Sequence, residues 1–274
     1  MRHLTQVAFE DVPFAELPAS TQRVSGHDIK EWRALIGDAD GDTVPFEYAL
    51  TWMLDALREG LDGIPDGGVL LRHELMLLAP APTDHDLCST IEVAEKYRRR
   101  GRPVIAFRIV TKRSGSDETI AEDVIHLLWP RAREAPPANK TRTSEGGRSS
   151  PRSAEADNDG THELLPIAGR ITQDQIDRYA RLSGDFNPLH VDPDVGRRSP
   201  FGSTIAHGPI PLGYLARAVR EEAATDWPTG TKIDARFVAP SRPGDFLHVR
   251  QRNRQLLVEG DDGVARIVAE ITNG

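Results

Sequence analysis

Cysteine is nearly absent from this sequence, since Cys88 is the only one among 274 residues. A single thiol cannot form an intramolecular disulfide and cannot build a thiolate zinc cage. The sequence is therefore unlike that of a disulfide-stapled domain or a zinc ribbon. This composition suits a reducing cytoplasm, and we expect the protein to act there.

Long apolar runs are also missing. No stretch approaches about 18 consecutive apolar residues, the length that a membrane-spanning helix requires. The first residues, Met1 to Gln6, lead into acidic and proline-containing sequence instead of an apolar segment. We therefore expect neither a membrane span nor a signal peptide.

Basic residues are outnumbered, because 34 Lys and Arg stand against 42 Asp and Glu, for a formal net charge of −8. Affinity for phosphate backbones comes mainly from an excess of Lys and Arg, so the charge disfavours a general nucleic-acid binder. Hydrophobic residues make up 38% of the chain, which is enough to pack a globular core. The length exceeds that of a usual single core and favours two domains.

One segment, residues 132–161, has few large apolar residues and many Pro, Gly, Ser and charged residues. Such a segment cannot bury enough surface to offset the entropy lost on ordering. We predict a flexible linker there. It would join an N-terminal domain, residues 1–131, to a C-terminal domain, residues 162–274.

The two halves resemble each other at a constant offset of 147 positions. The residues that match at this offset are Ile29, Trp32, Gly37 and Asp38 in the first half and Ile176, Tyr179, Gly184 and Asp185 in the second. Chance similarity of two amphipathic stretches is the alternative. Four matches in one register favour an internal repeat.

Each copy has the same predicted order of elements. A short helix starts at Ser25 or Thr172, and the latter has Gln175 three residues later in a capping-box pattern. A longer apolar helix follows, at about residues 46–57 or 209–219. Alternating apolar residues predict strands at 69–78, 87–97, 104–111, 119–128, 231–239, 246–252 and 264–271. This order indicates the α+β class, in which an antiparallel sheet wraps around one apolar helix.

The densest cluster of reactive side chains lies in the second copy, where Asp185, Asn187 and His190 occur within six residues. Gly184 and Pro188 interrupt regular structure, so a compact turn can direct these side chains into one space. A carboxylate beside an imidazole is suited to general acid–base chemistry near neutral pH. The sequence thus predicts an acid–base site at this turn.

Gly208 stands at the start of the second long helix, where the first backbone N–H groups lack helical partners and the dipole is positive. Pro209 and Pro211 offer no N–H. The Gly208 N–H is therefore predicted to be the free donor nearest the acid–base turn. A donor in that position can stabilise an oxyanion that forms during a reaction.

The run from Ser183 to Asp192, followed by Ile205-Ala206-His207-Gly208, is similar to the hydratase motif of the MaoC-like family. That family comprises (R)-specific enoyl-CoA hydratases and 3-hydroxyacyl-thioester dehydratases with the hot-dog fold. Together with the repeat, the resemblance implies a double hot-dog in one chain. It also implies that Asp185 and His190 activate water and that one of them exchanges the proton at the α carbon. Asn187 would orient the pair, and Gly208 would be the oxyanion donor.

The first copy departs from this motif. Asp38 persists, but the positions that match Asn187, Pro188 and His190 hold Asp40, Gly41 and Thr43. Because the imidazole is missing, we predict one active site per chain. The N-terminal copy would complete a pseudo-dimer and shape the acyl pocket.

Weaker signals concern the substrate. The residues predicted to bind it are Ile205, Ala206, His207, Leu212 and Tyr214, although an apolar helix stripe such as Leu212 and Tyr214 is core by default. We assign no catalytic role to His207.

Two clusters of basic residues could contact the phosphates of coenzyme A, although a solvated hairpin face is the favoured interpretation of both. The first cluster is Lys96, Arg98, Arg99, Arg100 and Arg102, and the second is Arg250, Arg252 and Arg254.

We expect a hydro-lyase that interconverts trans-2-enoyl and (3R)-3-hydroxyacyl thioesters, the stereochemistry resting on the resemblance alone. No metal is expected, since His190 and Asp192 have too few further ligands nearby. No cofactor is expected beyond the coenzyme A or acyl carrier protein of the substrate, and no nucleic-acid or membrane partner. A further homodimer is left open. The alternatives are a non-catalytic acyl-thioester-binding subunit and an acyl-CoA thioesterase.

Overall fold

A computed structural model describes residues 8–38, 43–61, 66–130, 161–223 and 228–273 of the chain. The helices are α1 Gly26–Ile36, α2 Ala49–Gly60, α3 Gln173–Ser183, α4 Pro188–Val191, α5 Pro193–Arg198 and α6 Pro209–Ala223. The strands are β1 Glu16–Val24, β2 Val69–Leu77, β3 His85–Arg99, β4 Arg102–Arg113, β5 Thr119–Leu128, β6 Thr161–Arg170, β7 Thr231–Phe237, β8 Phe246–Arg252, β9 Gln255–Gly260 and β10 Ala265–Asn273. A 3-10 turn, Phe46–Tyr48, leads into α2.

All ten strands form one antiparallel sheet in the order β1-β3-β4-β5-β2-β7-β10-β9-β8-β6. The first five positions belong to the N-terminal half, and the last five repeat the same connectivity in mirror order. The halves join where β2 pairs with β7, with Leu75 opposite Ile233 and Arg72 donating to Asp234 at 2.7 and 2.8 Å. The predicted α+β class and the internal repeat are confirmed.

The short helices α1 and α3 begin and end in the same way. The Ser25 hydroxyl accepts from the Asp28 N–H, and the Thr172 hydroxyl accepts from the Gln175 N–H. Each helix ends at a glycine in the left-handed region, with φ of 68° at Gly37 and 67° at Gly184. Only half of the predicted capping box forms. The Gln175 amide donates to Leu35 of the other half instead of returning to Thr172.

The long helices α2 and α6 lie in the core. Leu50, Met53 and Leu57 of α2 are fully buried, as are Ile210 and Leu215 of α6. The sheet therefore covers two apolar helices, as the amphipathic patterns predict. None of the described helices has the length and apolar character needed to cross a membrane.

Five elements escaped the sequence analysis: β1, β6, β9, α4 and α5. In β1 the inward positions include the polar residues Ser20 and Gln22, so apolar alternation is absent. The short helices α4 and α5 start at Pro188 and Pro193, residues that also indicate turns. Strand β6 begins at Thr161, the last residue of the predicted linker, and the other linker residues lie outside the described part of the chain.

Candidate active site

A cavity of about 420 Å³ opens between the two halves beside the turn that follows α3. Gly184, Asp185, Phe186, Asn187 and His190 line it from this turn, and Gly208 lines it at the start of α6. Most of the remaining wall is apolar. The large apolar side chains of the wall are Leu54, Val69, Leu70, Leu71, Leu127 and Leu128 from the N-terminal half and Phe201, Phe237, Val238 and Ile267 from the C-terminal half.

Three titratable side chains meet at the polar end of the cavity. Atoms of Asp185, His190 and His207 lie within 4.8 Å of one another, and the two imidazole rings stack with centroids 3.8 Å apart. His207 is 1% exposed, and its Nε2 donates to the main-chain oxygen of Asp185 at 2.9 Å. His207 therefore holds the turn that carries Asp185.

The tautomer of His190 follows from its hydrogen bond. Its Nδ1 lies 2.8 Å from the carbonyl oxygen of Ile205, which can only accept, so Nδ1 carries the proton. In the neutral ring, Nε2 then has a free lone pair. Burial lowers the pKa of His190 despite the opposing effect of Asp185, and the ring is neutral at pH 7. His190 can therefore accept a proton at Nε2.

The charge of Asp185 is set by opposing effects. Burial raises its pKa, but His207, His190 and Arg58, with the Asn187 N–H, outweigh burial and bring the pKa below its ordinary value. Burial and the neighbouring His190 lower the pKa of His207 to about 3. At neutral pH the site thus holds one carboxylate and two neutral imidazoles.

Asn187 ties the turn to the other half of the molecule. Its Oδ1 accepts from the Gly67 and Leu189 N–H groups, both at 3.2 Å, and its Nδ2 donates to the Gly68 carbonyl at 3.1 Å. The Leu189 bond is the N-cap of α4, the helix that carries His190. Asn187 thereby positions His190 against the N-terminal half.

Gly208 combines a free donor with a close approach. Within the described ranges, no acceptor takes its N–H. A Cβ at this position would lie 2.9 Å from Leu70 and 3.0 Å from Phe237, both of which line the cavity. A side chain there would therefore displace the cavity wall, and glycine leaves the N–H accessible.

The five residues predicted to bind substrate separate into two groups. Ile205, Ala206 and His207 line the cavity. Leu212 and Tyr214 do not line it; they are buried in the core, and the Tyr214 hydroxyl accepts from the Gln175 amide. The structure thus places these two residues where the helix-stripe pattern put them by default.

Residues from the N-terminal half are the main part of the site that the sequence analysis missed. Arg58, Gly67, Gly68 and Leu70 approach the turn from more than 100 positions away along the chain. No local motif marks them. Only the internal repeat offered a signal, because it predicts a second copy that could pack against the first.

Two residues of the basic clusters have partners outside the cavity lining. Lys96 donates to the carbonyl oxygens of Phe9 and Glu10, and Arg250 pairs with Glu259. The sequence analysis singled out eight basic residues, all of which lie in the part of the chain that the structure describes. Arg102 lines the cavity, and the other seven do not. Phosphate binding by the two basic clusters stays a prediction.

The first copy of the motif holds charges in place of a cavity. Asp38 Oδ2 pairs with Arg33 at 2.6 Å and with Arg220 at 2.7 Å. The Thr43 carbonyl accepts from Arg33 at 3.1 Å. Asp40 and Gly41 lie outside the described residues. No described side chain at this position supplies an imidazole.

The cluster of Asp185, His190 and His207 also bears on metal binding. His190 Nδ1 and His207 Nε2 are both engaged with main-chain carbonyls, so two of the four ring nitrogens are already in use. These bonds fix the orientation of both rings, and each ring keeps one nitrogen that is not engaged with a main-chain carbonyl. The absence of a metal from the reaction stays a prediction.

Comparison with known proteins identifies a domain match in the C-terminal half. A family model described as MaoC like domain matches residues 158–269. The "Probable enoyl-CoA hydratase 2" of Dictyostelium discoideum is 24% identical over 200 residues, which are 71% of this chain and 65% of that protein. The chain spans less than two thirds of the length of such curated relatives.

Two solved structures from Mycobacterium tuberculosis show the same fold. HtdX covers 94% of this chain and 100% of its own, with a TM-score of 0.68 and 18% identity. A protein described as having a double hot-dog fold covers 96% and 97%, with a TM-score of 0.64 and 11% identity. The chain is thus a double hot-dog whose halves form an intramolecular pseudo-dimer, and its residues 158–269 match the MaoC like domain.

Proposed function

We propose that the protein is a hydro-lyase that interconverts trans-2-enoyl and (3R)-3-hydroxyacyl thioesters. The observation that carries the proposal is the meeting of an ionised Asp185, a neutral His190 with a free Nε2 and an unpartnered Gly208 N–H at the end of one apolar cavity. Similarity to a relative named as an enoyl-CoA hydratase supports the reaction class.

In the hydration direction, Asp185 and His190 hold one water molecule. The water oxygen bonds to C3 of the enoyl group, and its proton passes to the pair. The electrons of the double bond move toward the thioester oxygen, and the enolate is stabilised by the Gly208 N–H. A proton from the pair then bonds to C2, so that one water is added and the pair is regenerated. Dehydration is the reverse.

The cavity wall indicates the acyl group. Leucine, valine, phenylalanine and proline side chains make up most of the lining, which among the described residues also includes Arg58, Asp66, Arg102, Ser241 and Arg266. We therefore propose a mainly hydrocarbon acyl chain. The single Cys88 suits a reducing compartment, and we place the reaction in the cytoplasm on that ground.

A thioesterase and a non-catalytic acyl-binding subunit are the rival functions. A binder has no need for a carboxylate and an imidazole beside an amide donor. A thioesterase would direct water to the thioester carbonyl, whereas hydration directs it to C3. Incubation with crotonyl-CoA separates the three functions. Loss of the enoyl absorbance without free thiol is expected; thiol release would favour the thioesterase, and tight binding without either change would favour the subunit.

A further inference from the structure

Arg58 is a side chain of the N-terminal half that reaches the C-terminal site. It lies in the last turn of α2, and its Nη2 donates to the carbonyl oxygen of Ser183, the last residue of α3. The same nitrogen donates to Asp55 at 2.7 Å. A Cβ on Gly184 would lie 3.4 Å from this nitrogen, so the guanidinium covers the turn immediately before Asp185.

The position of this cation has an electrostatic consequence. The C-terminal end of a helix carries a partial negative charge, and an anion placed there is destabilised. Asp185 follows the end of α3 by two residues. The groups that surround it are His190 on α4, His207 before α6, Tyr179 on α3, and Arg58 with Asp55 on α2. Arg58 is the one group among these that carries a positive charge at neutral pH.

The other half contains a matching contact without a matching site. Arg217 of α6 donates through Nη1 to Ile36, the last residue of α1, at 3.2 Å, and its Nε donates to Glu221 at 2.7 Å. A Cβ on Gly37 would lie 2.8 Å from that Nη1. An arginine over the end of the short helix is thus a feature of both copies. The next carboxylate lines the cavity in the C-terminal copy, whereas Asp38 pairs with Arg33 and Arg220 in the N-terminal copy.

We propose that Arg58 is a positioning residue of the C-terminal site, where it holds the turn before Asp185 and keeps the Asp185 carboxylate negatively charged. The catalytic meaning of this role rests on the proposed hydratase function. The charge effect itself does not, because it follows from the contacts of Arg58. The pKa of Asp185 supports it, since Arg58 is among the groups that lower this pKa.

Three variants separate charge from position. Arg58→Gln removes the charge but keeps an N–H donor for the Ser183 carbonyl, and Arg58→Lys keeps the charge. Arg217→Gln removes the matching guanidinium from the copy without a catalytic pair and serves as the control. Carbon-13 NMR titration of the Asp185 carboxyl, assigned by its loss in Asp185→Asn, measures the charge effect without any substrate.

We expect Arg58→Gln to raise the pKa of Asp185 by about one unit or more, as removal of a neighbouring arginine does elsewhere. Arg58→Lys and Arg217→Gln should leave it near the wild-type value. In crotonyl-CoA hydration, Arg58→Gln should lower kcat by up to about tenfold with KM retained, because the Asp185 carboxylate loses the positive charge beside it. Arg58→Lys should recover part of this loss.

An unchanged Asp185 titration in Arg58→Gln, or an equal shift in Arg217→Gln, would overturn the proposal. If Arg58→Gln does not fold, the Asp185 pKa in Arg58→Lys decides, since a rise despite the retained charge would also overturn it. If the wild-type protein hydrates no enoyl thioester, the proposed function fails, while the titration still decides the role of Arg58.

Discussion

Asp38 accepts a hydrogen bond from Arg220 at 2.7 Å across the boundary between the two halves. The same carboxylate pairs with Arg33, and the other Arg220 nitrogen pairs with Glu47 at 2.7 Å. All four side chains are less than a tenth exposed. In the other copy the matching Asp185 faces a cavity. The repeated aspartate therefore serves an ion network in one copy and a candidate catalytic site in the other.

Asp38→Asn should destabilise the protein without removing its activity. The substitution leaves two buried guanidinium groups short of negative charge, which costs about 3–5 kcal/mol for buried pairs. Because Asp38 does not line the cavity, turnover per folded molecule should change little. Urea unfolding and crotonyl-CoA hydration measure the two effects. Asp194→Asn, at an exposed pair with Arg197, should cost no more than about 1 kcal/mol. If Asp38→Asn lowered turnover as much as Asp185→Asn does, the assignment of Asp38 to a structural ion network would be wrong.

Asp185→Asn and His190→Gln should each lower kcat for hydration by about 10²- to 10⁴-fold, the usual contribution of a general acid or base. Both substitutions preserve size, so the free energy of unfolding should stay close to that of the wild type. His248→Gln, at an exposed pair with Asp261, is the histidine control and should retain full activity. Near-normal rates in either site variant would refute the assigned roles.

The pH dependence should reflect the depressed pKa values of the site. Hydration requires Asp185 ionised and His190 neutral, so activity falls as pH drops and either group gains a proton. Because the pKa of each group lies below its ordinary value, full activity should persist below the ordinary histidine pKa of about 6.5. The measurement is kcat/KM for crotonyl-CoA between pH 4 and pH 8. An acid midpoint at or above about 6.5 would contradict the neutral buried imidazole.

Leu70 and Leu212 should respond differently to truncation. Leu212 is 1% exposed and lies in the core, so Leu212→Ala should lower the free energy of unfolding by about 2–5 kcal/mol. Leu70 lines the cavity, and Leu70→Ala should enlarge the acyl pocket and shift preference toward longer enoyl-CoA chains. Relative kcat/KM across a chain-length series distinguishes the two. If Leu212→Ala shifted the chain-length preference and Leu70→Ala did not, Leu212 instead of Leu70 would line the acyl pocket.

Much of the fold could be predicted because its signals are local. The helix caps Ser25 and Thr172, the left-handed glycines Gly37 and Gly184 and the alternating strands all act within a few residues. Strands β1 and β6 escaped notice, since both lie at the edges of the sheet and β1 buries polar residues. Their strand conformation depends on pairing with β3 and β8, which no local pattern records.

The candidate site could also be predicted only in part, where its signals are local. The sequence by itself determined that Asp185, Asn187 and His190 share one turn, because they lie within six residues between a helix-ending glycine and a helix-starting proline. Only the tertiary structure decided what faces them. Arg58 and Leu70 reach the turn because β2 pairs with β7 and brings α2 beside α3, and contacts between segments so far apart in the chain depend on how the whole sheet packs.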